Sequence, residues 1–249
     1  MKHIVIILAV MFTVISLVSG FQLWRYYTEE QKTAEQFNNL SARIEQPEQE
    51  QPDDCVTSLW TVNDQYGLLF EQNRDMIGWI AINGTGIGYP VMQTPDRPDY
   101  YLTHDFDKQR SNYGVPYVAE ESNVDPQSDN ITIYGHRMKS GKMFGELTGY
   151  LEDAFWREHP TICFDTRAGF GVYEILAVFK TTPADFQYHL FVDAAEQAEF
   201  NEYVQRCKKL SLYDTGITAE YGDKLISLST CENSQMDGRL VIVAKKVAE

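Results

Sequence analysis

The 249-residue chain is poor in cysteine and in positive charge, and each shortage excludes something. Its four cysteines (Cys55, Cys163, Cys207 and Cys231) lie far apart with no CxxC pair, which excludes a zinc ribbon or a thioredoxin-like motif on spacing. Lys and Arg number 21 against 36 Asp and Glu, a formal net charge of -15. Such a chain repels phosphate backbones, so no nucleic-acid partner is expected. Histidines and acids show no ligand spacing such as HxxxH, and neither a metal site nor a cofactor is expected. No internal repeat is present. What the chain does have is 43% hydrophobic and 13% aromatic residues, a globular composition.

One long apolar run opens the chain. No charged residue lies between His3 and Arg25, and the run at positions 4–24 is enough to span hydrocarbon as a helix, which needs about 20 residues. A cleaved signal peptide is the competing reading, since Val18-Ser19-Gly20 offers small residues to a peptidase. The run exceeds the usual h-region of roughly 7–15 residues, and Trp24, Tyr26 and Tyr27 read as an interfacial belt, so an uncleaved anchor over 1–25 is favoured. Lys2 before the run and Arg25 after it leave orientation open. Residues 26–54 are rich in Gln and Glu and broken by Pro47 and Pro52, a partly helical stalk ending in a linker.

From Cys55 to residue 249 the pattern is globular. Leu59, Trp60, Val62, Tyr66, Leu69 and Phe70 suit one amphipathic helix. Short apolar or β-branched runs follow at Trp79–Ile82, Ile87–Val91, Val115–Ala119, Ile131–Tyr134, Thr161–Phe164, Val172–Phe179, Leu225–Thr230 and Leu240–Val247. Turn signals such as Asn83-Gly84 and Asp237-Gly238 bound them, so the pattern is mainly β with helices, a barrel or a sandwich. A short helix is expected at Lys142–Leu151. A longer one at Ala194–Leu210 has Phe200, Tyr203, Val204, Cys207 and Leu210 on one face, inside a connection far longer than an ordinary loop.

Cys231 differs from the other cysteines because Leu225–Thr230 ends at its thiol and polar Glu232, Asn233 and Ser234 follow, a side chain presented at a strand end. Cys163 and Cys207 read as small buried hydrophobes. A nucleophilic thiol needs an acid/base and an oxyanion donor. Among the histidines, His104 and His189 sit in loops and His159 closes a helix before Pro160. His136 stands at a strand end in Tyr134-Gly135-His136-Arg137. Arg239 opens the last strand, and antiparallel pairing across Asp237-Gly238 would return it to the level of Cys231.

The strings Leu228-Ser229-Thr230-Cys231 and Asp237-Gly238-Arg239-Leu240-Val241 together resemble the signature of sortases. Gly78-Trp79-Ile80, Tyr89-Pro90-Val91, Tyr100-Tyr101-Leu102, Tyr134–Met138 and Met143-Phe144-Gly145 resemble the class B subgroup, over residues 60 to 247. Two departures accompany the resemblance. Asn233 stands where some class B sequences carry an acidic residue, and residues 93–99 lack the Asp-Asn pair common in that loop.

The resemblance implies an eight-stranded sortase β-barrel with an N-terminal helix and a long helix inserted between the penultimate strand pair. It implies a membrane-anchored cysteine transpeptidase, single-pass, with the N-terminus cytoplasmic and the catalytic domain extracellular. Such enzymes cut a C-terminal sorting motif of surface proteins, NPxTx in class B, after its Thr and join the carbonyl to a peptidoglycan amine. Carried over, Cys231 is the nucleophile, His136 the acid/base and Arg239 the oxyanion or backbone donor, with Ser229, Thr230, Glu232 and Tyr188 lining the peptide groove. A pilin-polymerising sortase, with a pilin lysine as acceptor, fits the same residues. A cell-wall L,D-transpeptidase would have Arg directly after the cysteine, where Glu232 stands, and a binding module without catalysis would bury Cys231. Because a nucleophilic Cys231 leaves three other thiols, no disulfide is expected.

Overall fold

The computed structural model describes residues 2–44, 61–232, 234 and 236–247, in two compact units. The first is one helix, α1 (Lys2–Ser41), with apolar side chains such as Ile4, Phe12, Leu17 and Trp24 exposed. It carries a candidate membrane span, Ile6–Ser41, whose most apolar window has a mean hydropathy of 2.3. The expected boundary at Arg25 is not a structural break, because the helix continues into the polar residues. The expected linker, Leu59 and Trp60 lie outside the described residues.

In the second unit, α2 (Val62–Gln72) starts at a capping box in which Thr61 and Asp64 satisfy each other's backbone N–H. Its apolar face, Val62, Tyr66, Leu69 and Phe70, is buried. Tyr66 stacks on Trp79 and donates to Asp165 at 2.6 Å. Burial pushes the Asp165 carboxyl up, opposed by bonds from Tyr66 and the Gly171 N–H.

Eight strands close a barrel: β1 (Met76–Ala81), β2 (Gly88–Met92), β3 (Tyr117–Val118), β4 (Asn130–Tyr134), β5 (Thr161–Thr166), β6 (Val172–Thr181), β7 (Leu225–Cys231) and β8 (Arg239–Lys246). Their order is β1-β2-β3-β4-β7-β8-β6-β5, with β5 returning to β1. β2–β3 and β4–β7 are parallel and the remaining pairs antiparallel, so the barrel is mixed. Closure leaves no sheet edge, and Val91, Ile131, Ile133, Ile162 and Ile226 are buried.

All eight expected strands are present. β3 is shorter than expected because Pro116 has no N–H for a ladder and instead accepts from Met92 N. Lys142–Leu151 is not an α-helix: a 3-10 turn occupies Glu146–Leu151 and α3 (Asp153–Glu158) follows. A Cβ on Gly145 would lie 2.5 Å from the Met138 carbonyl, so the chain bends there rather than coiling. α4 (Gln197–Leu210) begins later than expected because Asp129 and Glu199 capture the N–H groups of Ala194 and Ala195. Its face of Phe200, Tyr203, Val204 and Cys207 packs on Leu176, Leu225, Val241 and Val243.

The expectation of no disulfide is corrected. Cys163 is disulfide-bonded, and Cys207 and Cys231 are the free thiols among the described residues. Cys207, on the buried face of α4, stays a thiol.

Candidate active site

Three neighbouring strand ends build the site. β4 runs parallel to β7 with Tyr134 opposite Ser229, which brings Gly135-His136 beside Thr230-Cys231. Gly135 N donates to Ser229 O at 3.1 Å, and Thr230 Oγ1 donates to Gly135 O at 2.8 Å. Gly135 admits no side chain, since a Cβ would lie 2.5 Å from the Phe144 ring. Across the antiparallel β7–β8 pair, Cys231 stands opposite Arg239, and Glu232 N donates to Gly238 O at 2.8 Å to close the turn.

Cys231, the last residue of a strand otherwise buried, is exposed. It shares a cavity of about 480 Å³ with His136, Arg239, Ser229, Thr230 and Tyr188. Tyr134, Tyr117, Pro183 and His189 also line it, as do the acidic Asp99, Glu120 and Glu121. Arg239 and the acids therefore face the same space with opposite charge. Burial pushes the Tyr188 hydroxyl up, and the Ser229 hydroxyl and Arg239 charge oppose it. Tyr188 and Ser229 share one hydrogen bond of 2.7 Å. One of the two hydroxyl hydrogens makes that bond, and the other stays free to donate to a ligand carbonyl.

Glu232 sits next to the nucleophile but outside the cavity lining. Its carboxylate accepts from Ser234 N at 2.9 Å and from the Ser234 hydroxyl, and pairs with Lys180 at 3.4 Å. Burial would raise that carboxyl, but these partners outweigh it and hold it below its ordinary value. Asn233 is outside the described residues.

Two further histidines are spent elsewhere: His104 stacks on Tyr100 at 3.9 Å and bonds its carbonyl, and His159 bonds Asn83 O at 2.8 Å. The sequence reading did not single out Leu102, whose carbonyl lies 2.8 Å from His136 Nε2. Its only signal was membership of the Tyr100-Tyr101-Leu102 string. Among the described residues no group of three or more His, Cys, Asp or Glu is arranged to hold a metal ion. A larger cleft, about 610 Å³ between residues 184–191 and α4, is lined by neither the thiol of Cys231 nor His136 or Arg239.

A strand-end thiol beside an imidazole and a guanidinium suits acyl transfer, and comparison with known proteins decides the family. The sortase domain model matches residues 80–247. The chain belongs to class B of the sortase family. Sortase B of Listeria monocytogenes is 35% identical over 190 residues, 76% of each chain. The structure of sortase B from B. anthracis in complex with AAEK1 superposes with a TM-score of 0.73 at 30% identity, covering 90% of this chain and 98% of that one. The Staphylococcus aureus sortase B–substrate complex gives 0.70 at 29%, covering 75% and 86%. This sortase is accordingly a cysteine transpeptidase on a closed mixed barrel.

Proposed function

We propose that this class B sortase cleaves an NPxTx-type sorting motif of surface proteins after its Thr and transfers the acyl group to a peptidoglycan amine. The observation that carries the reading is the register pair of Cys231 with Arg239, with His136 on the adjoining strand end and all three opening into one cavity.

The Cys231 thiolate attacks the Thr carbonyl, and charge collects on the carbonyl oxygen, where Arg239 donates. Collapse to the thioester expels an amine, which leaves only once protonated, by His136 acting as acid. The incoming wall amine then loses its proton to His136 as it attacks the thioester, and the thiolate departs. The free hydrogen of the Tyr188–Ser229 pair serves the peptide backbone. Thr230 keeps lone pairs but has given its hydrogen to Gly135. Glu232 acts on the peptide through the loop it orders with Ser234 and Lys180.

Residues 1–25 anchor the protein in the cell membrane with the N-terminus cytoplasmic, 26–54 form the stalk, and 55–249 form the extracellular catalytic domain. The full-length chain in detergent micelles, incubated with NPxTx and LPxTG peptides with and without an amine acceptor, tests the reading. Cys231-dependent cleavage of NPxTx supports it, and cleavage of LPxTG alone overturns the motif assignment.

A further inference from the structure

We infer that the backbone carbonyl of Leu102 is the group that orients His136, fixing its neutral ring as the Nε2–H tautomer and leaving Nδ1 as the atom that exchanges protons with the reacting groups. The inference rests on the proposed acid/base role of His136.

A carbonyl oxygen only accepts hydrogen bonds, so the His136 nitrogen 2.8 Å from Leu102 O carries a proton in the neutral ring as well as in the imidazolium. The other nitrogen is then the one whose proton comes and goes. A nucleophile–base pair works when a third group holds the base, and that group is commonly a carboxylate. A carbonyl fixes tautomer and ring plane without placing a full negative charge behind the imidazolium.

The carbonyl is itself held firmly. Leu102 ends a 3-10 turn, Tyr100–Leu102, in which Leu102 N donates to Asp99 O at 3.0 Å and Thr103 N to Tyr100 O at 3.3 Å. The turn is tied to the strand-bound loop by Val115 N donating to Tyr101 O at 3.0 Å. Tyr101, 1% exposed, donates to Asp75 at 2.9 Å and accepts from Asn73 at 2.9 Å. Burial would raise the Asp75 carboxyl, but Lys108 at 2.9 Å, the Tyr101 hydroxyl and Arg97 outweigh it and keep it ionised. From the other side Gly114, at φ 58°, lies so close that a Cβ would meet Tyr101 O at 2.4 Å and Leu102 O at 2.8 Å. Only glycine permits both that backbone angle and that approach.

The test uses the full-length chain in micelles with ¹⁵N-labelled histidine. Long-range ¹H–¹⁵N correlation at a pH where the ring is neutral reads the tautomer, with His136 assigned by loss of its signals in His136→Ala. The expected result is a single Nε2–H form. An Nδ1–H form, or two forms in comparable amounts, overturns the inference whatever any variant does. Replacing the amide between Leu102 and Thr103 by an ester weakens that carbonyl as an acceptor and leaves every side chain in place, and it also removes the long 3.3 Å bond from Thr103 N to Tyr100 O. The ester is expected to bring in the second tautomer and lower kcat about 10-fold with KM unchanged, the size typical of lost orienting partners. An ester protein with wild-type tautomer and kcat also overturns it. Wild-type protein that shows the single tautomer but no Cys231-dependent cleavage refutes the proposed function instead, so the two failures are distinguishable.

Discussion

Cys207 and Cys231 are the two free thiols among the described residues, and the regions around them put their polar atoms to different use. Both regions hang on β7. Under α4, Cys207 is fully buried, and burial pushes its thiol up to about 12. Around it Tyr203, Ser227 and Asn130 bond one another at 3.2 and 2.8 Å, so the polar atoms are consumed in holding the helix to the barrel. Four residues beyond Ser227 the strand leaves that cover and presents Cys231 to a cavity where Arg239 bonds the Asp237 and Gly238 carbonyls of its own turn, at 3.3 and 3.1 Å. One thiol is thus inert and the other available: Cys207 is sealed where α4 packs on β7, and Cys231 stands where β7 leaves that cover.

The sharpest way to break the comparison is to remove each thiol. Cys231→Ala is expected to lower peptide cleavage by about 10⁴-fold or more, the size seen when a covalent nucleophile is lost, with thermal stability unchanged. Cys207→Ala is expected to leave cleavage per folded molecule intact and to cost about 1–2 kcal/mol in denaturant unfolding, the usual range for a small truncation in a core.

Arg239→Ala should reduce kcat by about 10²–10³-fold, as loss of an oxyanion donor does, and Arg239→Lys should recover little because the fork is absent. Initial-rate kinetics on saturating peptide distinguish these.

Alkylation of the folded protein should modify Cys231 at least about 10²-fold faster than Cys207. A thiol raised in the fold from 9.0 to about 12 contributes stability that is whole below pH 9 and is lost as pH rises towards 12. Labelling of Cys207 should therefore stay slow at pH 9 and appear only as alkali unfolds the chain, which peptide mapping checks.

Tyr188→Phe is the smallest change. It leaves the Ser229 hydroxyl without its partner and removes the spare donor, and a loss near 1 kcal/mol predicts roughly a 5-fold rise in KM.

Much of this was legible in the sequence, for identifiable reasons. Alternation and β-branching marked the strands, and the Asp237-Gly238 turn put Arg239 level with Cys231 before any fold was known. The Lys142–Leu151 segment misled because its spacing looks helical while Gly145 is packed against a carbonyl that no residue type announces. The resemblance put Glu232 in the groove, but β7 ends at Cys231, and beyond it the carboxylate turns to Ser234 and Lys180. Leu102 was beyond reach for a deeper reason: its contribution is a backbone carbonyl, present at every position, and only the fold selects which one meets His136.

The most direct measurement is the intact mass of the full-length chain after incubation with an NPxTx peptide in the absence of acceptor. The account predicts a single acyl adduct, removed by hydroxylamine as a thioester is, mapping to Cys231 and absent from Cys231→Ala. An adduct on another residue, or peptide cleavage undiminished in Cys231→Ala, would contradict it.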